Sequence, residues 1–357
     1  MINRKTERNI QLLSTVGMVV IALILGAFLV VVSGNNPFEA YGAMIKGAFG
    51  SKNKISELFV KLIPVMLMAF GVSIAYKAQL WNIGGNGQFV MAAITSAAVA
   101  LYVHLPAPLV LVLSCIVAMV TGALWAGLAG WLKNKFNANE VITTLMLNYV
   151  ATYFLMYVVT GPNGPLHDPY SDLTQSDAIA ENLHLTRILG QNFRLHSGIF
   201  ILAAAIVIML FFWKTSLGHK INLIGQGEKV STYAGLNVKK TVMLTMCISG
   251  AFCGLAGWLE IFAIQYRLQS TISDYGNIAT IVALLGALDP VGIIVSSAFF
   301  SVLLCGGSSM QRLTSVPYSV VEVIQGIIIV LIIGKALVSQ KIAGFWERKK
   351  KAKEIEK

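Results

Sequence analysis

Charge is scarce in this sequence: Asp, Glu, Lys and Arg make up 12% of its 357 residues, against about 25% in soluble domains. With 56% hydrophobic residues and a mean hydropathy of +0.72, a soluble fold would have too little polar surface to cover the apolar remainder. Acid is scarcer than base, 16 residues against 27. The basic excess does not describe a nucleic-acid surface, because it sits in short loops between apolar runs and in the tail after Lys341, where it acts as a topology signal. Cysteine is limited to Cys115, Cys247, Cys253 and Cys305, all inside apolar runs. With no CxxC pair and no histidine at ligand spacing, they read as packing thiols, and neither a disulfide framework nor a metal site is expected. A phosphate-cradling loop is also missing. Its nearest approach, Gly334 and Lys335, has Ile329 where the first glycine belongs and Ala336 where Ser or Thr should stand. GxSxG, HExxH and convincing carboxylate pairs are absent too. No catalytic residue, metal or cofactor is therefore expected, and the chain is not read as an enzyme. Energy for any uphill transport must come from another chain or an ion gradient.

What is present is a series of apolar runs near the roughly 20 residues needed to cross a bilayer core of about 30 Å. Runs bounded by charge, Pro or Gly give ten segments, near 13–33, 58–80, 89–103, 109–132, 141–160, 198–213, 243–263, 277–288, 291–306 and 320–338. This predicts an all-α polytopic membrane protein of about ten transmembrane or re-entrant helices in a single domain, 1–357. The third, eighth and ninth runs are short and read as candidates for broken or re-entrant helices. The run from Leu12 to Val32 follows Arg4, Lys5 and Arg8, but it exceeds a signal-peptide core and reads as an uncleaved first span.

If all ten cross, most Lys and Arg fall on the side of 1–12, 81–88, 133–140, 214–242 and the basic tail 339–357. The positive-inside rule then places both termini in the cytoplasm of a multi-pass inner-membrane protein, with 161–197 outside. Lys46, Lys52, Lys54 and Lys61 run against this pattern, and Asn36 to Ser56 reads as an amphipathic segment lying on the membrane. The outer insert carries Pro162, Pro165 and Pro169, four acidic residues, and His167, His184 and His196 at spacings that suit solvated loop histidines better than ligands.

Three stretches could carry function. Trp81 to Gln88 reads WNIGGNGQ. Its glycines and asparagines suit either a tight turn between helices or a re-entrant bend at a pathway, with Trp81, Asn82, Gly84, Gly85, Asn86, Gln88 and the intraspan Asn148 as the candidate residues. Lys214 to Lys240 keeps apolar residues in a long cytoplasmic loop. After Gly225 and Gly227 it offers a short amphipathic helix with Val230, Tyr233 and Ala234 on one face, ended by Gly235 and Leu236, a shape suited to docking in a groove of a soluble partner. Inside the spans, Glu260 and Glu322 lie near span ends, where reaching for the headgroups is a cheaper explanation than function. Gly250, Gly254 and Gly257 mark a face for close helix packing.

Five pieces in order, WNIGGNGQ, NEVITTLMLNYVA (Asn139 to Ala151), STYAGLNVKK (Ser231 to Lys240), SGAFCGLAGWLE (Ser249 to Glu260) and IVALLGALDPVGI (Ile281 to Ile293), resemble the permeases of ABC importers for nucleosides. The wider group also handles simple sugars and branched-chain amino acids. Where that group usually has an acidic residue after NIG-x, this chain has Asn86, and GNIAT stands before IVALLG. The resemblance implies a type II ABC importer-like permease. Its implied partners are a cytoplasmic ABC ATPase, a second homologous permease, an extracellular substrate-binding lipoprotein and membrane lipid, with Gly225 to Leu236 as the coupling element. The cargo reads as a nucleoside, with a sugar or branched-chain amino acid as the alternative. An ion-coupled secondary transporter or channel is the competing class, but the spans hold almost no mid-membrane charge for such coupling.

Overall fold

The computed structural model describes residues 4–160, 164–190, 192–328, 330 and 331. The basic tail, the phosphate-loop look-alike and most of the run from 329 onward lie outside the described residues. Among the described residues the regular structure is helical, with isolated bridges in place of strands. The helices are α1 (Arg4–Val32), α2 (Pro37–Phe49), α3 (Lys52–Lys77), α4 (Gly85–Tyr102), α5 (Ala107–Phe136), α6 (Glu140–Val159), α7 (Gly198–Phe212), α8 (Ser216–Gly225), α9 (Glu228–Tyr233), α10 (Val238–Leu259), α11 (Tyr275–Leu285), α12 (Pro290–Thr314) and α13 (Ser319–Ile328). A π-helical turn, Glu260–Gln265, extends α10.

Among the described residues five helices, α3, α5, α6, α10 with its π-turn and α12, are long and apolar enough to cross a membrane. The count rises to seven if α1 with α2 and α7 with α8 each form one bent span, with bends of 117° and 68°. The count of about ten read from the sequence is thus not confirmed among the described residues, and the tenth run extends beyond them. The difference has physical causes. At about 1.5 Å per residue, the 11 residues of α11 rise only about 16 Å, and α4 opens on the polar run Gly-Asn-Gly-Gln. The ninth segment differs the other way: α12 has 25 residues and is not short. Asn36 to Ser56 divides into α2, opened by Asn36 accepting from the Phe38 N–H, and the first turn of α3.

Contacts divide the chain into two compact units, residues 52–301 and residues 1–51 with 302–357. In the larger unit, α3 carries an 18-residue apolar stretch of which 89% is buried, as expected of a central helix. By contrast 28% of the α5 span and 22% of the α6 span are buried. Their apolar outward faces have no partner within this unit and suit a hydrocarbon surrounding. α10 packs chiefly on α5, then on α3 and α4, while α11 lies on α3. In the smaller unit, Tyr41 donates from Oη to Leu23 O at 2.6 Å, and a Cβ at Gly26 would come within 2.5 Å of Ile324 Cδ1.

Local chemistry sets the turns. α5 ends at Asn137 in the left-handed region (φ 53°), and Asn139 caps α6 by accepting from the Val141 N–H. Lys133 and Glu140 pair across this turn at 2.6 Å. At the opposite end of these helices the insert between α6 and α7 folds into a cap on the end of α10. Ser176 and Ile179 donate their N–H groups to Leu268 O and Tyr266 O, Leu185 to Phe262 O, and Ser270 to Thr174 O, all within 3.0 Å. Arg194 pairs with both carboxylate oxygens of Glu57 at 3.1 Å, tying the cap to α3.

Candidate functional site

The connection from α3 to α4 doubles back into the helical core. After Lys77 the chain turns at Gln79, in the left-handed region (φ 59°), and the Asn82 Nδ2 then donates to Ser249 Oγ at 2.9 Å. Ser249 also touches α3 at Gly71, where an added Cβ would lie 2.6 Å from Ser249 O. Gly71 is nearly two turns before the end of α3, about 9 Å along its axis. Further on, Gly85 faces Met68 and Cys253. α4 therefore starts well inside the thickness that α3 spans, and its N-terminus is buried.

Buried backbone groups need partners, and the side chains of Asn82 in the connection and of Thr144 and Asn148 on α6 supply them. Asn82 and Gln88 form a reciprocal amide pair: Gln88 Nε2 donates to Asn82 Oδ1 at 2.8 Å, and Asn82 Nδ2 to Gln88 Oε1 at 3.3 Å. The same Asn82 oxygen accepts from the Gly84 N–H at 3.1 Å. From α6, Asn148 holds both sides of the bend. Its Oδ1 accepts from the Gly87 N–H at 2.7 Å and its Nδ2 donates to Ile83 O at 3.0 Å. Thr144 Oγ accepts from the Ile83 N–H at 3.3 Å. Gly84 and Gly87 are needed for close approach, since a Cβ at either would fall within about 3 Å of Thr144 or Asn148. Replacing Asn148 by leucine should leave the Gly87 N–H and Ile83 O without partners. At about 1–3 kcal/mol for each buried group so stranded, a clear fall in melting temperature in detergent is expected, and an unchanged melting curve would show that the bend is held elsewhere.

Of the residues singled out in the sequence, Asn82, Gly84, Gly85, Gln88 and Asn148 meet in this knot. Asn86 lies beside it with Oδ1 buried and unpartnered among the described residues. Trp81 stays outside, 46% exposed and packed on Tyr76 at 4.9 Å between ring centroids. Thr144, Ser249 and Gly71 belong to the knot but were not singled out. Their signal was a small or hydroxyl residue within an otherwise apolar helix.

The second region is the loop between α7 and α10. α8, whose residues Ile221 and Ile224 are buried, was not anticipated. Its end is pinned to the end of α3, since a Cβ at Gly225 would lie 2.0 Å from Lys77 O. Gly227 (φ 128°) makes the corner into α9, and Gly235 (φ 72°) ends it, with the Leu236 N–H returning to Ser231 O. Ser231 turns inward while Val230 is 45% and Tyr233 94% exposed.

Glu260 corrects an expectation. It does not reach toward a headgroup region but is wholly buried, whereas Glu322 is exposed. The three histidines of the cap each have their own place: His167 meets Val159 O, His184 stacks on Tyr266, and His196 accepts from the Gly198 N–H. Burial, assisted by Arg194, pushes His196 down to about 4 from 6.5, so it is neutral at ordinary pH and keeps that acceptor.

An all-helical chain with several apolar spans, a polar knot at the start of a buried helix and an exposed loop tip is a multi-pass membrane protein with the architecture of a transporter subunit. It belongs to the family described as the branched-chain amino acid transport system / permease component, which matches residues 54–333. The nucleoside ABC transporter permease protein of Lactococcus lactis is 33% identical over 344 residues, covering 94% of this chain and 93% of its own. The guanosine ABC transporter permease protein of Bacillus subtilis is 31% identical over 329 residues, 91% of this chain and 94% of its own. The glucose ABC transporter permease protein of Haloferax volcanii is 32% identical over 323 residues, 88% of this chain and 85% of its own.

Proposed function

We propose that this chain is the membrane-spanning permease subunit of an ATP-driven importer for nucleosides, a single functional domain with both termini in the cytoplasm and the cap outside. The observation that carries the cargo is the alignment with nucleoside and guanosine permeases over more than nine-tenths of this chain. The glucose permease at 32% identity favours a sugar as the second reading. ATP is hydrolysed by a separate subunit, because a phosphate loop is missing from the sequence. An extracellular receptor delivers substrate at the cap, and a second permease and lipid cover the outward faces of α5 and α6. Gly225, Gly227, Val230, Tyr233, Ala234, Gly235 and Leu236 form the element that couples to the ATPase, with the exposed Val230, Tyr233 and Ala234 as its contact surface and the glycines shaping the turn. The knot of Asn82, Gln88 and Asn148 fixes a re-entrant element beside the passage, where irregular backbone is tolerated in a membrane.

Proteoliposomes containing this chain, its partner permease, ATPase and receptor should take up guanosine when ATP is present and not otherwise. The chain alone should hydrolyse no ATP. Uptake of glucose in place of guanosine would establish the second reading. Orientation is tested in cells. In a cysteine-free variant expressed in cells without the ATPase, Tyr170→Cys on the cap (97% exposed) should react with an impermeant thiol reagent, and Tyr233→Cys should react only after the membrane is opened. The reverse pattern would overturn the topology. Ser176, although within the outer insert, is buried and unsuited to such labelling.

A further inference from the structure

Of the buried polar atoms that lack a partner among the described residues, two acceptors lie against α11 and the approach to it. The first is Glu260 Oε2. The other oxygen of this wholly buried carboxyl accepts from Ser273 Oγ at 3.1 Å and Gln265 Nε2 at 3.2 Å. The second is Asn86 Oδ1, on the first turn of α4. A Cβ on Gly276, in the first turn of α11, would come within 2.4 Å of the Asn86 backbone nitrogen. The two acceptors stand at successive levels. Gly257 packs on Phe89 O, one turn of α4 beyond Asn86, and Glu260 follows Gly257 by three residues.

The backbone around Glu260 is irregular. The helix widens into the π-turn at this residue and breaks at Tyr266, which is left-handed at φ 58°. Such turns recur at functional sites. The cap lies across the same stretch, through Leu185 on Phe262 and Ile179 on Tyr266. A carboxyl used only as a strut would engage both oxygens, because a stranded charged acceptor is costly in a buried site. Ionisable groups held inside a membrane commonly mark a substrate path.

A sugar hydroxyl, which can both donate and accept, is a natural counterpart for a carboxyl oxygen, as where an acidic residue takes a ribose hydroxyl in nucleotide-binding folds. We propose that Glu260 Oε2 accepts a hydrogen bond from a hydroxyl of the substrate's ribose as it passes beneath the cap, and that Asn86 Oδ1 is the next acceptor along the same path. This rests on the nucleoside reading and adds which part of the nucleoside is recognised.

The test uses the complete importer in proteoliposomes, with guanosine and 2′,3′-dideoxyguanosine supplied at concentrations that saturate the receptor, whose affinity for each is measured separately. The parent should import guanosine at least about tenfold faster, the effect of one hydrogen bond to a charged group. Glu260→Gln, which puts a donor where an acceptor is needed, should lose most of that preference by slowing guanosine while leaving the dideoxy compound within about twofold. Glu260→Asp should restore part of it, and Asn86→Ala should reduce it. Melting temperature and ATPase binding should match the parent in each case. Equal slowing of both compounds by Glu260→Gln, or no change, would overturn the assignment. If the parent imports glucose instead, the nucleoside reading falls. The same comparison with glucose and its deoxy analogues then decides the role of Glu260: lost discrimination supports a hydroxyl acceptor and retained discrimination refutes it.

Discussion

Gly250→Val should abolish recovery of folded protein, whereas Gly42→Ala should be almost silent. The contrast comes from what a new Cβ would meet. At Gly250 it would lie 2.1 Å from Gly122 O and 2.6 Å from Ala126 Cβ. In return, a Cβ at Gly122 would lie 2.3 Å from Gly250 O, and one at Gly254 would lie 2.3 Å from Ala118 O. These obstacles are mainly backbone, which has no rotamer to change, so α5 and α10 would have to separate. In a bilayer the apolar effect does not pull helices together, and close packing of small residues does much of that work. Separation would also draw Trp258 Nε1 from Ser114 Oγ, 2.8 Å away across the same interface. The cost should reach about 3 kcal/mol or more, the upper part of the range for overpacking, out of a total stability on the order of 5–15 kcal/mol. Gly42 has no neighbour within 4 Å of such a Cβ. Gly127→Ala is an informative intermediate, since it would press only on Cys247 Sγ and Met243 Cε, at 3.0 and 3.4 Å. Gel-filtration profiles and melting curves in detergent read all three. A monodisperse Gly250→Val protein with parental melting would show that the two helices do not approach so closely.

This glycine face was legible in the sequence because small residues at helical spacing in an apolar run have few other uses. The long spans were legible for a similar reason: composition and length decide them with little help from neighbours. α4 and α11 were harder. Their apolar runs say nothing about depth, and it is Asn82 reaching Ser249 that shows how far the α3–α4 connection climbs. That contact joins residues 167 positions apart, beyond any local pattern. Asn148 could be noticed as a lone amide in a span, but Thr144 could not, because a threonine in a helix ordinarily returns its hydroxyl to its own backbone. Thr144 does so too, donating to Glu140 O while accepting from Ile83. Glu260 was misplaced for the converse reason. Its position near a span end suggested escape to the surface, and only the folded cap reveals that the surface there is covered.

Tyr233→Ala and Ala234→Glu should cost the importer its ATPase and its transport together, while leaving insertion and abundance unchanged. Tyr233 is 94% exposed at the tip of α9, beside the exposed Val230. An aromatic so placed has no packing role within the chain, and aromatic anchors at interfaces commonly contribute about 2 kcal/mol or more on truncation. A loss of that size weakens ATPase binding on the order of 30-fold. Placing a carboxylate at Ala234 should do at least as much, by burying an unpaired charge. How motion would pass inward is set by Gly225, which brings α8 against the Lys77 carbonyl at the end of α3, ahead of the turn that leads to Asn82 and the knot. Gly225→Ala should therefore behave differently from the tip variants, forcing α8 away from α3, keeping the ATPase bound and losing uptake. Two drastic but distant changes, Asp172→Ala and Asp177→Ala on the cap, should leave ATPase association unaltered. Pull-down of the ATPase and uptake in proteoliposomes measure the two properties separately. Should the Tyr233 and Ala234 variants bind and transport like the parent, the loop would be a connector only, and the contact that receives ATP-driven motion would have to be sought at the exposed Trp81, which stands beside the same end of α3.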